Sequence, residues 1–183
     1  MLRRAGLAVG LLALLLVAGG VATARSTPDL DASGPTAVTG TEATAVFAVA
    51  DRTIRQVRYA EGGTLRYTFR LTNHGRLPVT LGLSSHQSDP RLFTLSGLTG
   101  PDGEQPVRLG AGETKAVTLA LAMGGCETLS SRSGSFVPDV LLRTERAGVF
   151  EDEVRVGLPE ELHTGSPREA FCPNSTATSR PPG

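Results

Sequence analysis

The sequence predicts an all-β domain, an antiparallel β-sandwich of about seven or eight strands, preceded by an N-terminal apolar export helix. Three observations lead there. Apolar and polar residues alternate without a break over Thr64–Thr72. Short apolar runs follow one another, with turn residues about every 8–12 positions. Between residues 43 and 158 no stretch carries an amphipathic helical period of useful length. The 183 residues leave room for one such core and not for two.

The first element is the export segment. Arg3 and Arg4 precede an uncharged run from Ala5 to Ala24, with Leu11–Val17 at its centre. An apolar helix of this kind enters the bilayer while the arginines stay on the cytoplasmic side. Ala22 and Ala24 place small side chains at the two peptidase subsites of an A-x-A cleavage signal. The run is also long enough to span a membrane, so a cleaved signal peptide and a retained anchor both fit residues 1–24. No cysteine lies in or just after the segment, which excludes a lipoprotein anchor. In either case the rest of the chain is expected outside the cytoplasm, secreted or held at the outer face of the cytoplasmic membrane. Residues 5–24, if uncleaved, would be its only membrane contact.

Residues 25–42 are rich in Ser, Thr, Pro, Gly, Asp and Ala and read as a flexible linker. Ala45–Val49 and Ile54–Tyr59 supply one or two edge strands. In Thr64–Thr72, Leu65, Tyr67, Phe69 and Leu71 alternate with Arg66, Thr68, Arg70 and Thr72, the pattern of a half-buried strand. Asn73-His74-Gly75 is a turn. Leu77, Val79 and Leu81 then form a second strand, and the pair reads as a hairpin. Leu92–Leu95 and Val107–Leu109 are short strands, separated by the turn at Pro101-Asp102-Gly103. Ala116–Met123 alternates again, with Val117, Leu119, Leu121 and Met123 on one face. Val140–Thr144 precedes Ala147-Gly148, and a last strand holding Phe150, Val154 and Val156 is expected to stop at Leu158-Pro159. The sandwich thus occupies residues 43–158, followed by an extension over 159–172 and a disordered tail over 173–183.

Two motifs carry a resemblance. Tyr67–Asn73, His74-Gly75 and Leu77-Pro78-Val79-Thr80-Leu81 are similar to the strand, N-x-G turn and P-V-T strand of bacterial extracellular immunoglobulin-like and fibronectin-like domains. Leu109-Gly110-Ala111-Gly112-Glu113-Thr114 resembles the L-x-P-G-E-T turn of the same domains, with Ala111 where a proline is frequent. The resemblance implies an immunoglobulin-like sandwich. The core tryptophan and inter-sheet disulfide of immunoglobulins are absent, and such folds carry many functions.

Cys126 and Cys172 are the only cysteines. In an exported chain an even pair points to one disulfide, which would tie the extension over 159–172 back to the domain. Free thiols or an intermolecular bridge are the alternatives. The histidines His74, His86 and His163 show no zinc-ligand spacing. His86 and Asp89 share a polar loop that could touch a metal or ligand, though a plain surface loop accounts for them. Glu151-Asp152-Glu153 reads as a solvated face. No nucleophile elbow and no calcium loop is present.

Basic and acidic residues balance at 18 each; without Arg3 and Arg4 the count is 16 against 18. Such a chain has no electrostatic footprint for nucleic acid. With no Trp and eight aromatic residues it also has little material for stacking platforms. Arg66 and Arg70 share the outward face of one strand, and Arg108, Arg143 and Arg155 also hold strand positions. If brought together they would form an anion or partner patch; otherwise they keep sheets from pairing edge to edge. The reading is a non-enzymatic binding or structural module without cofactor or metal, its partner an envelope protein or cell-wall component. A membrane-anchored subunit of a larger envelope assembly is the alternative, and an extracellular hydrolase a distant third.

Overall fold

The structure, a computed structural model, describes residues 27–87, 92–125 and 134–164. Ten strands run in order: β1 (Leu30–Thr39), β2 (Ala43–Val49), β3 (Arg52–Val57), β4 (Thr64–Asn73), β5 (Val79–Leu83), β6 (Phe93–Thr99), β7 (Val107–Leu109), β8 (Thr114–Met123), β9 (Phe136–Arg146) and β10 (Phe150–His163). No helix occurs among the described residues. One sheet has the order β1-β4-β8-β6 and the other β2-β3-β10-β9-β5-β7. All neighbours are antiparallel except β3 and β10, which run parallel through Ile54–Glu161 and Gln56–His163.

The two sheets share one core. Leu65, Tyr67, Phe69 and Leu71 of β4 and Val117, Leu119, Leu121 and Met123 of β8 meet Leu81, Leu109, Val140, Leu142, Val156 and Leu162 of the other sheet. In β4 the expected alternation holds at every position, with the four apolar side chains buried and Arg66 and Arg70 exposed. The cause is the pleat, which sends successive side chains to opposite faces. Val154, expected in the core, is only half-buried at its margin.

Several expectations are corrected. The stretch read as a linker over 25–42 contains β1, paired along β4 from Leu30–Asn73 to Thr39–Arg66. Its inward residues are Leu30, Ala32 and Val38, few and small, and a register shift between Ser33 and Ala37 breaks their period. Pro35 is tolerated because β1 is an edge strand. β3 is an inner strand, not an edge. β10 does not stop at Leu158-Pro159 but continues to His163, so the start of the expected extension is strand. Pro159 lies where the β9–β10 ladder is interrupted, between Gly157 and Leu162, and its missing N–H costs little there.

Nor do β4 and β5 form a hairpin; they belong to different sheets. Asn73 is the reason. Its buried side chain donates to the carbonyls of Leu77 and Gly110, both at 2.9 Å, and accepts the Gly75 N–H at 2.9 Å. Its backbone N–H donates to Glu113 O at 3.0 Å and its carbonyl accepts from Gly112 N at 2.8 Å. The chain is thereby turned out of one sheet into the other. The β7–β8 turn, where Gly112 has φ of 68°, makes the reverse crossing alongside. The two motifs noted in the sequence are thus two sheet crossings, clasped by one asparagine.

Where β10 runs past Pro159 it brings Glu160 into a largely buried ion pair. Arg55 Nε lies 2.6 Å from Glu160 Oε2 and Nη2 lies 3.1 Å from Oε1, while the Tyr67 hydroxyl donates to Oε2 at 3.4 Å. Burial, and next the Glu160 charge, push the Tyr67 phenol far above its ordinary value. This two-pronged pair ties the parallel β3–β10 seam to β4.

Candidate functional site

β4 and its neighbours build the outer face of the four-stranded sheet. Antiparallel register lines up rows of side chains across the strands. One row is Ser33, Arg70 and Ala116; the next is Ala37, Thr68, Thr118 and Thr99; the next is Thr39, Arg66, Ala120 and Gly97. Asp31, Thr72 and Thr114 close one end, and Thr64, Ala122 and Thr94 the other. Apart from the arginines, every member is small or carries a short polar side chain. The hydroxyls of Thr68 and Thr118 lie 2.8 Å apart and those of Thr72 and Thr114 2.9 Å apart. The Thr68–Thr118 pair lies between the two arginines and the Thr72–Thr114 pair beyond Arg70, and each such pair favours a single rotamer of its β-branched side chains.

Arg66 and Arg70 stand up from this surface. They are four positions apart along the strand, roughly 13 Å. Their cross-strand neighbours are Thr39 and Ala120 for Arg66, and Ser33 and Ala116 for Arg70. Neither guanidinium has an ion-pair partner among the described residues. Asp31, at the border, is the only acid on the face among the described residues. Each guanidinium can take a phosphate or carboxylate through two parallel N–H donors. The threonine hydroxyls between them can donate to and accept from a hydroxylated ligand. Among the described residues no aromatic ring lies on the face.

The five strand arginines do not come together. Arg108, Arg143 and Arg155 lie on the outer face of the six-stranded sheet, away from Arg66 and Arg70. There they alternate with acids: Glu153, Arg143 and Gly82 share one cross-strand row, and Glu151, Glu145, Thr80 and Arg108 another. Arg155 pairs with Asp139. This mixed face has no single sign. A groove of about 370 Å³ opens beside Arg143, lined also by Gly82, Gly97, Gln105 and Pro106.

Near that row the structure assembles a cluster that the sequence did not reveal. Ser84 donates its hydroxyl to Glu153 Oε1 and accepts the His86 backbone N–H at 2.9 Å; His86 Nδ1 lies 3.0 Å from the same Glu153 oxygen. The Ser84 hydrogen bond, then that of His86, hold the Glu153 carboxyl below the usual glutamate range. A hydrolytic triad needs the imidazole on the serine oxygen. Here serine and histidine share one carboxylate instead, so the cluster latches the loop after β5 onto β10. The sole sequence signal was the alternation of β10, which places Glu153 outward; its partners lie 69 and 67 residues away. Asp89, considered beside His86, lies outside the described residues. Among the described residues no group of three His, Cys, Asp or Glu could hold a metal ion.

His74 is exposed in its turn and donates its N–H to Asp29 O at 2.8 Å. His163, expected in the extension, is a strand residue stacked on Phe136 with ring centroids 4.1 Å apart. Cys126, Cys172, Ala22 and Ala24 all lie outside the described residues, as do the expected export segment over 1–24 and the expected tail over 173–183. Compared with models of known protein families and with curated proteins, the chain matches none.

Proposed function

We propose that this chain is an exported, non-enzymatic binding module built as an immunoglobulin-like β-sandwich. Its recognition face is the outer surface of the four-stranded sheet, and its partner is an anionic, hydroxyl-rich polymer of the cell envelope. One observation carries this reading: among the described residues, Arg66 and Arg70 stand without ion-pair partners on a threonine-lined sheet face where Asp31 is the one acid. Protein surfaces usually intersperse both signs of charge, as the six-stranded sheet of this molecule does. Two guanidinium forks about 13 Å apart suit a chain with recurring phosphates or carboxylates better than a single small anion. The apolar segment over residues 5–24 supports a site of action outside the cytoplasm. Two sheets around one core, together with the two crossing motifs, support the immunoglobulin-like reading.

The test is co-sedimentation of the full-length chain with purified cell-wall polymer, with and without its phosphate or carboxylate groups. Binding should need the anionic groups and weaken as salt rises. The Arg66→Glu/Arg70→Glu variant should lose at least about tenfold in affinity, since two charge-assisted contacts become repulsive. Equal binding by the variant would refute the face. Binding to an envelope protein fraction and not to the polymer would replace this partner with the protein alternative.

A further inference from the structure

The groove beside Arg143 lies between β5 of one sheet and β6 of the other and is lined by residues of both. Its volume of about 370 Å³ falls within the range of about 300–1,000 Å³ usual for ligand sites. Leu83, Leu98 and Pro106 give it apolar walls, and Arg143 and Gln105 bring polar groups to it.

One strand edge stands open along this groove. The β5–β7 ladder ends at Leu81–Val107. Next on the β7 side come Pro106, which has no N–H, and Gln105. Ser84 donates its N–H to Leu141 O of β9 at 3.1 Å. Backbone groups alternate sides along a strand, so Leu83 turns its N–H and carbonyl the other way, to the side that β7 has left. No backbone hydrogen bond from a described residue meets them there.

A guanidinium is also available. Arg143 shares a cross-strand row with Glu153 and Gly82. Glu153 is already held by Ser84 and His86, and no described acid forms an ion pair with Arg143. Gly82 has no side chain, which leaves Arg143 a clear path across β5; a Cβ added there would meet nothing within 4 Å. Gln105 sets its amide nitrogen over Gly97, 3.2 Å from where a Cβ would stand. That amide offers both a donor and an acceptor.

An open edge takes up main chain, a guanidinium takes a carboxylate through two parallel donors, and apolar walls take a side chain. We infer that the groove binds the C-terminal end of an extended peptide. Its carboxylate sits on Arg143, its last peptide groups on Leu83 and Gln105, and its final side chain against Leu98 and Pro106. Arg66 and Arg70 take no part.

The experiment is an NMR titration of the isotope-labelled full-length chain in detergent with acetyl-Ala-Val-Ala-Leu, up to about 10 mM, a range that captures weak ligands. The signals of Leu83, Gln105 and the Arg143 Nε–H should shift. The same peptide with an amidated C-terminus should bind at least about tenfold more weakly, and so should the free acid to Arg143→Gln or Gly82→Val. The Arg66→Glu/Arg70→Glu variant should bind it as wild type does. An unshifted groove would overturn the inference. So would equal binding of the two peptides, undiminished binding by Arg143→Gln, or a loss confined to the Arg66→Glu/Arg70→Glu variant. Acetate, which has neither main chain nor side chain to offer, should bind more weakly than the peptide; equal affinity would leave a plain anion site and overturn the peptide.

Discussion

At single residues, the contrast between the inward and outward positions of β4 is the sharpest check on the fold. Phe69 is fully buried among residues of both sheets, whereas Arg66, three positions away, faces water. Phe69→Ala should cost about 3–5 kcal/mol by leaving a cavity, and Arg66→Ala less than about 0.5 kcal/mol. Chemical denaturation of both variants measures this directly, and a larger loss from the arginine would put the strand out of register. Asn73 is the residue whose role was hardest to foresee. Its type announced a turn, but among the described non-glycine residues only Ala50 and Ala147 have positive φ. Its amide is there to satisfy carbonyls from two separate loops. Asn73→Ala removes both donors and leaves those carbonyls short of partners, which should cost about 2–4 kcal/mol. Asn73→Asp should be no better, because a carboxylate would face the same carbonyl oxygens. An aspartate variant as stable as wild type would contradict that arrangement.

At the scale of elements, the latch between the loop after β5 and β10 should respond to acid. Because hydrogen bonds from Ser84 and then His86 lower the Glu153 pKa in the folded state, the carboxylate contributes stability above the unfolded glutamate range. That contribution is lost as pH falls toward the lowered folded value. Thermal melting of wild type and Glu153→Gln across this interval should therefore converge as the pH is lowered. The convergence should persist in a His86→Ala background, because Ser84 supplies the larger share. A difference between the two proteins that does not change with pH would show that the carboxylate is not held in this way. The same comparison bears on function, since a latch that merely opens in acid is structural, whereas loss of polymer binding on opening would move the site to the six-stranded sheet.

At the scale of the whole molecule, the boundary of the domain matters most. Residues 25–42 were read as a linker, which predicts that a chain beginning at Ala43 folds normally. The structure predicts the opposite. Without β1, the edge of β4 and the margin of the core next to Leu30, Ala32 and Val38 are uncovered. A chain starting at Ala43 should melt well below the full-length protein, or lose its cooperative transition, in calorimetry. An unchanged transition would return β1 to the status of a linker. The same deletion removes Ser33, Ala37 and Thr39 from the outer face of the four-stranded sheet, so it should weaken polymer binding even where folding survives.

What the sequence determined alone was local. A period of two follows from the pleat and needs no knowledge of neighbours, so β4 and β8 and their inward faces could be read directly, as could the turns between short strands. Where the period was broken, by Pro35 in β1 and Pro159 in β10, β1 was read as a linker and β10 was ended too early. The tertiary structure decided which strand lies beside which. An apolar face is equally satisfied by any other apolar face, so alternation cannot distinguish a hairpin from a crossing between sheets. That choice rested on Asn73 reaching Gly110, on Arg55 reaching Glu160 across 105 residues, and on Ser84 reaching Glu153. These polar contacts form only when distant segments arrive together, because each partner alone is satisfied by water. The same holds for the candidate face: Arg66 and Arg70 could be read as outward-pointing from β4 alone. That their neighbours are threonine, serine and alanine, and not acids, was settled by the register of β1, β6 and β8.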